Sequence, residues 1–285
     1  IGAIANIVLD PLFIFMLDLG IRGAAIATVL SQCLSAGFVL YFLSKKAEYK
    51  VRLLYKEEIR TCGKDAKNIV SLGTAGFVMQ LTNSLVSICC NNVLSATGGD
   101  VYVSVMTIIS SVRQMIETPI WSISEGSSPV ISYNYGAKRP KKVIEAWITM
   151  SVLALIYSLI AWSVILFAPK FLIGIFSSDK SLMIDTVPAM KLYFSAFIFM
   201  LFQYTGQTMF KSLNKKKQAI FFSILRKVII VVPMTYMFPY VFHMGSNGVF
   251  MAEPVSNVIG GSLCFIVMLL TVLPELKQMN SDLSS

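Results

Sequence analysis

The sequence is poor in the residues on which most enzymes and metal sites depend. It has one histidine in 285 residues, five cysteines and only 14% charged residues. The cysteines show no CxxC spacing and the chain has no HExxH or GxSxG motif, so neither a metal cluster nor a nucleophile–base pair is indicated. We therefore predict that the chain is not an enzyme and needs no cofactor. The single His243 falls in a short link between apolar runs, where an interfacial position accounts for it.

Apolar residues are what the sequence has in quantity. They make up 55% of the chain, and the mean hydropathy is +0.71. A soluble domain of this length carries more charge, so the composition indicates a polytopic membrane protein surrounded by lipid. The formal net charge of +9 raises nucleic acid as an alternative partner. Because the basic residues lie in short stretches between apolar runs, without interleaved aromatic residues, we expect no nucleic-acid binding.

Eight apolar segments follow one another and predict an all-α, polytopic transmembrane helix bundle. All but the first reach the roughly 20 residues that a spanning helix needs. The chain opens at Ile1 inside the first segment, without the features of a leader, so we expect a fragment whose missing N-terminal helices belong to the same parent chain. The segments are residues 1–17, 23–43, 68–96, 101–131, 143–168, 186–210, 219–241 and 248–273.

The links between the segments alternate between basic and nearly uncharged. Residues 44–67 hold eight lysines or arginines, and residues 136–142 and 211–218 hold four each. By the positive-inside rule, we expect these links and the C-terminus to face the cytoplasm of a cell-membrane protein. The 44–67 stretch is the strongest break in composition. We interpret it as a linker between two helical bundles, with a long solvated loop as the alternative.

A short pattern occurs twice in the chain. Each copy starts at a glycine, Gly23 or Gly248, and each follows a helix interrupted by proline, at Pro11 or Pro233. Repeats of this kind flank the substrate site in secondary transporters, so the pattern indicates transport. At equal offsets from the two glycines stand Ala27 and Ala252, Thr28 and Glu253, Ser31 and Ser256, and Gln32 and Asn257.

Polar residues in the first two segments form a candidate ion site. Asn6 and Asp10 are one helical turn apart and share a helix face. Pro11 disturbs the hydrogen bonds of the preceding turn, which frees carbonyl oxygens near the carboxylate and bends the helix. Two antiparallel helices bring Thr28 to a similar depth. We therefore predict that Asn6, Asp10 and Thr28 bind a coupling ion, which is either a proton or sodium.

Charged residues inside an apolar run are costly in lipid and usually face a cavity. Glu117, Trp121 and Glu125 fall four residues apart on one face of the fourth segment. An aromatic ring between two carboxylates suits an organic cation. The alternatives are that Glu117 pairs with Arg113 one turn back and that Glu125 is solvated at the interface.

Further candidates for a substrate cavity are polar or aromatic residues at helical spacing. Gln80 and Ser84 begin a polar stripe in the third segment, and Tyr204 and Gln207 lie in a stripe on the sixth. Packing between helices is the alternative interpretation of both stripes. Glu253 occupies the repeat position of Thr28 and is the acidic candidate in the C-terminal half.

Four stretches of the sequence carry a family resemblance: NIVLDP from Asn6, GAAIAT from Gly23, PVISYNYGA from Pro129, and the run from Gly248 to Asn257. Together they resemble the multidrug and toxic compound extrusion (MATE) family. The resemblance implies helices five to twelve of a twelve-helix exporter. An Asn, an Asp and a Thr that bind the coupling proton or sodium in that family match Asn6, Asp10 and Thr28. An acidic residue that some members carry on the seventh helix corresponds to Gln80.

The resemblance also implies the organisation of the chain. Residues 1–43 correspond to the last two helices of an N-terminal lobe, and residues 44–67 to the cytoplasmic linker between lobes. Residues 68–273 correspond to a six-helix C-terminal lobe, and residues 274–285 to a cytoplasmic tail. The implied function is a proton- or sodium-coupled antiporter that exports organic cations, including drugs, by alternating access.

Two other functions stay open at this point. A flippase for lipid-linked precursors has a similar architecture, but it needs several basic residues in its central cavity to meet phosphates. Arg113 and Arg226 are the candidates in the sequence, and we expect Arg226 near the cytoplasmic end. A membrane subunit without transport activity is the second alternative. The costly charges of Asp10 and Glu117 count against it.

Overall fold

A computed structural model of the chain describes residues 1–46, 63–177 and 179–282. These residues form helices and short connections, with no strand among them, which confirms the prediction of an all-α polytopic bundle. Within these ranges, five helices are long and apolar enough to cross a membrane, or six if one bent pair counts as a single span. The predicted 44–67 linker falls largely on residues 47–62, which lie outside the described part of the chain.

The chain divides into two compact units, Ile1–Asn68 and Ile69–Ser285. In its described residues 1–46, the first unit contains the helices Gly2–Pro11 and Gly20–Tyr41. A π-helical turn continues each of them, and these turns are Leu12–Met16 and Phe42–Lys46.

The second unit contains the remaining helices, which cover all six of the later apolar segments. Its final helix continues through residue 273 into the predicted tail. The α-helices are Gly63–Gly136, which begins just before the unit, Pro140–Phe167, Pro169–Phe176, Lys180–Tyr193, Phe199–Ser212, Lys216–Ile224, Val232–Tyr240, Ser246–Ser256 and Ser262–Asp282, and the π-helical turns are Leu225–Val231 and Asn257–Gly261.

Two breaks shape the second unit. The long Gly63–Gly136 helix is divided at Gly99, whose φ of 68° and ψ of −168° are open to glycine and strained for other residues. This break separates the third and fourth predicted segments. The sixth predicted segment is also broken, because Lys180–Tyr193 and Phe197–Ser212 meet at an angle of 51°. The turn between them places Phe194 and Phe197 in the core, with their rings 5.7 Å apart.

The two hairpins that contain the sequence repeat have positive φ angles at equivalent positions of their connecting loops. Asp18 and His243 have positive φ angles of 52° and 54°, and Gly20 and Gly245 have positive φ angles of 52° and 56°. Both pairs are separated by 225 positions, the separation of Gly23 and Gly248. Aspartate, histidine and glycine tolerate positive φ angles better than most residues. The repeat therefore includes the loop geometry as well as the sequence pattern.

The repeated glycines allow each hairpin to close tightly. A Cβ atom on Gly23 would lie 2.5 Å from the carbonyl oxygen of Phe13, and one on Gly248 would lie 2.8 Å from the carbonyl carbon of Phe238. Phe13 and Phe238 are again 225 positions apart. Because the obstructing atoms belong to the backbone of the preceding helix, a rotamer change cannot relieve the overlap.

Gly248→Ala is therefore expected to destabilise the protein by about 1–3 kcal/mol, through overpacking against the Phe238 backbone. Thermal unfolding of the purified protein in detergent measures the effect. The matched control is Gly174→Ala in the Pro169–Phe176 helix, where an added Cβ meets nothing within 4 Å. Alanine favours helix over glycine by up to about 1 kcal/mol, so the control should be neutral or stabilising. Equal midpoints for the two variants would contradict the proposed close approach.

Candidate functional site

The three residues of the predicted ion site lie in the first unit, and hydrogen bonds within that unit engage each of them. The Asn6 amide donates a hydrogen bond to the Asp10 carboxylate over 3.1 Å, so these two residues form one polar pair. The Thr28 hydroxyl donates to the Ala24 carbonyl oxygen in its own helix, at 2.9 Å, and Thr28 is exposed. Among the described contacts of this unit, Thr28 has no hydrogen bond to Asn6 or Asp10.

Both proline residues singled out in the sequence border a π-helical turn. Pro11 ends the Gly2–Pro11 helix directly before the Leu12–Met16 turn. Pro233 is the second residue of the Val232–Tyr240 helix, and that helix begins directly after the π-helical turn that ends at Val231. Such turns occur frequently at functional sites, because they disturb the regular hydrogen-bond ladder.

The second unit contains a half-open cavity of about 440 Å³, which is within the usual size range of small-molecule sites. Residues from both halves of the Gly63–Gly136 helix line it, together with residues of three later apolar segments, 186–210, 219–241 and 248–273. Ser84 and Glu125 are not part of this lining. The sequence-predicted residues that line it are Gln80, Glu117, Trp121, Tyr204, Gln207 and Glu253.

Glu253 is the centre of a buried charge cluster in this cavity. It is 4% exposed, and its Oε1 atom lies 3.0 Å from Lys227 Nζ. The same oxygen lies 3.2 Å from the Nη2 atom of Arg113 and 3.5 Å from the Nη1 atom of Arg226. Three cations from two different helical segments thus meet at one carboxylate oxygen. A buried charge of this kind is costly unless it is paired, and here the pairing is mutual.

Arg113 holds the two carboxylates of the cavity together. Its Nε atom pairs with Glu117, and its Nη1 atom donates to the Tyr193 hydroxyl at 2.7 Å. Its Nη2 atom faces Glu253. The Tyr204 hydroxyl donates to the second oxygen of Glu117 at 3.1 Å. The planar guanidinium presents donors in several directions, which is why arginine suits this bridging position.

Arg226 and Lys227 are the residues that sequence reasoning underestimated. Arg226, one of the two basic cavity candidates from the sequence, is 6% exposed and lines the cavity, where it donates to Asn257. Lys227 was not singled out, and it is 5% exposed. Both lie on the Leu225–Val231 π-helical turn. Two adjacent cations inside the 219–241 apolar run were the available signal, because such charges rarely face lipid.

The remaining candidate residues lie toward the edge of this arrangement. Glu125 pairs with Lys211 at 2.8 Å and is 39% exposed at its side chain. Trp121 is exposed on the cavity surface. Ser84 is exposed and donates to the Gln80 carbonyl oxygen at 3.3 Å. Among the described residues, no group of three or more His, Cys, Asp or Glu side chains is placed to hold a metal ion.

A polytopic α-helical fold with a polar-lined cavity is the architecture expected of a membrane transporter. The MatE family model matches residues 76–237, which is more than half of the chain. The chain belongs to the MATE family, and the family resemblance in its motifs is thereby confirmed.

Named relatives agree with this family membership. The chain is 26% identical over 277 residues to the multidrug export protein MepA of Staphylococcus saprophyticus, which covers 95% of this chain and 58% of that protein. It is 26% identical over 272 residues to MepA of Staphylococcus aureus, covering 94% of this chain and 57% of that protein. The chain thus spans less than two thirds of the length of these relatives.

Solved structures show the same fold. The chain is similar to a MATE crystal structure described as the straight conformation, with a TM-score of 0.84 at 23% identity. It is also similar to one described as the bent conformation, with a TM-score of 0.82 at 22% identity. The matches cover 98% and 100% of this chain, and 62% of each solved chain.

Proposed function

We propose that the complete protein exports amphiphilic organic molecules, including organic cations, from the cell in exchange for a proton or sodium. The observation that carries this proposal is the 440 Å³ polar cavity inside an otherwise apolar helical unit. A structural subunit has no use for five buried or half-buried charges in such a place. The MepA relatives, which are named as multidrug export proteins, support the same direction of transport.

The Asn6–Asp10 pair is the proposed site of coupling. A proton or sodium that binds the Asp10 carboxylate competes with the amide hydrogen bond from Asn6. The Thr28 hydroxyl joins the bound ion once it rotates away from the Ala24 carbonyl oxygen. Because Pro11 and the Leu12–Met16 turn adjoin this pair, ion binding shifts the balance between two helix geometries and drives alternating access.

We further propose that the basic links and the C-terminus face the cytoplasm. Residues 136–142 and 211–218 carry four lysines or arginines each, whereas residues 97–100 and 242–247 carry none. This asymmetry supports the orientation through the positive-inside rule.

Flipping of a lipid-linked precursor is a second candidate function, and one specific observation favours it. The cavity is lined by three basic residues, Arg113, Arg226 and Lys227. The sequence alone offered two candidates, Arg113 and Arg226. Basic side chains in the cavity are what a phosphate-bearing lipid needs.

A gradient-driven export assay separates these functions. The complete transporter is reconstituted in proteoliposomes loaded with a fluorescent rhodamine dye, and a proton or sodium gradient is imposed. We expect dye movement that requires one of the two gradients and stops when an ionophore collapses it. Dye movement that ignores both gradients would contradict coupled export. Translocation of a phosphate-bearing lipid, without export of any dye, would select the flippase instead.

A further inference from the structure

The cavity of the second unit holds more positive than negative charge. Among the described residues, its lining includes the three cations Arg113, Arg226 and Lys227 and the two carboxylates Glu117 and Glu253. Both carboxylates are already engaged, Glu117 by Arg113 and Glu253 by all three cations. An unbalanced charge in an apolar bundle is costly, so the cavity favours a partner that supplies one further negative charge.

We propose that Lys227, Arg226 and Arg113 bind a carboxylate or phosphate group of the substrate, so that zwitterionic organic molecules are preferred over pure organic cations. This proposal rests on the proposed export function and defines its substrate class. The three cations converge on a single oxygen atom of Glu253. Lysine and arginine carry several N–H donors and no acceptor, so the cluster keeps donor capacity that a second anion can use.

A buried carbonyl oxygen without a hydrogen-bond partner among the described residues, on Gln203, indicates a contact for the part of the substrate that does not carry the anion. Gln203 lines the cavity and is 4% exposed, and its Oε1 atom has no hydrogen-bond partner in the described structure. A buried carbonyl oxygen normally accepts a hydrogen bond, so an N–H or O–H group of the ligand fits here. The exposed ring of Trp121 in the same lining offers a surface for an organic cation. A zwitterion satisfies the cations, the acceptor and the ring together.

Equilibrium binding of two matched dyes tests the proposal without any ion gradient. One is a rhodamine with a free carboxylate, and the other is its ethyl ester, which is a pure cation. Fluorescence anisotropy with the purified complete transporter gives both dissociation constants. We expect the free acid to bind at least about tenfold more tightly than the ester, the effect of one charged hydrogen bond. Equal affinities, or tighter binding of the ester, would overturn the proposal.

Variants that change the preference for the acid dye in opposite directions distinguish the proposal from a simple folding defect. Lys227→Gln removes one cavity cation and should lower the preference for the acid by about tenfold. Glu253→Gln removes a competing carboxylate and should raise that preference, which a damaged protein cannot do. Glu117→Gln removes the other carboxylate and should act in the same direction. The control is Lys215→Gln, because Lys215 pairs with Glu275 and is not part of the cavity lining. A loss of both dyes in every variant, or no change in any, would contradict the assignment.

Two further arms identify the source of the anion. In nanodiscs, displacement of the acid dye by anionic phospholipid in wild type, but not in Lys227→Gln, supports the same site with a lipid phosphate as occupant. Absence of such displacement supports a free organic anion. Adding increasing chloride to the binding assay, without any organic anion in the buffer, tests an inorganic occupant. If chloride competes with both dyes and the acid dye is not preferred, the proposal that the cations bind an organic anion would be overturned. Because these binding measurements need no gradient, they test the ligand class separately from export. A failure of the export assay is therefore distinguishable from a failure of this proposal.

Discussion

Asp10→Asn is expected to reduce ion-dependent export by at least about tenfold, because the substitution removes the one charge that the proposed coupling site offers to a cation. The amide is similar in size, and it keeps a hydrogen-bonding partner for Asn6, so the hairpin should still form. The asparagine side chain, however, can neither take up a proton nor attract sodium by charge. The measurement is gradient-driven dye export from proteoliposomes, compared with wild type at equal protein content.

Asp18→Asn is the matched control for this prediction. Asp18 is exposed in the loop after the same helix, and its positive φ of 52° is a conformation that asparagine tolerates well. The same chemical change should therefore leave export close to wild type. Binding of the rhodamine acid without a gradient should also survive in Asp10→Asn. Undiminished, gradient-dependent export by Asp10→Asn would remove this residue from the mechanism.

Glu253→Gln is expected to destabilise the protein by about 3–5 kcal/mol, the usual cost of breaking a buried ion pair by removing one partner. Glutamine preserves the volume of the side chain but not its charge. Arg113 keeps Glu117 as a partner, whereas Lys227 and Arg226 lose the carboxylate that they share. Thermal unfolding in detergent measures the loss, and the rhodamine acid should restore part of it, because a bound anion stabilises the folded state.

The double variant Glu253→Gln/Lys227→Gln tests whether charge imbalance is the cause. Removing one cation together with the carboxylate should recover more than half of the lost stability, since fewer buried cations then lack a partner. Glu275→Gln is the control, because its pair with Lys215 is partly exposed and should contribute less than about 1 kcal/mol. Additive losses in the double variant would show that side-chain packing, rather than charge balance, determines the effect.

The membrane class, the positions of the apolar helices and the hairpin repeat were determined by the sequence itself. These features depend on local patterns. Uninterrupted apolar runs of about 20 residues are helical in lipid, because a helix satisfies the backbone hydrogen bonds within a single segment. Gly23 and Gly248 begin the two copies of the sequence repeat, and in both hairpins they stand where the preceding backbone comes too close for a side chain. Pairs one helical turn apart, such as Asn6 with Asp10, follow from the same local geometry.

The charge cluster of the cavity was decided only by the tertiary structure. Arg113, Lys227 and Glu253 are separated by up to 140 positions, and nothing in a single sequence says which side chains meet across that distance. Their meeting depends on the break at Gly99 and on the Leu225–Val231 π-helical turn, which set the direction of the helices and of two adjacent cations. The energy of a buried charge is fixed by the partners that surround it, and those partners exist only once the helices have packed.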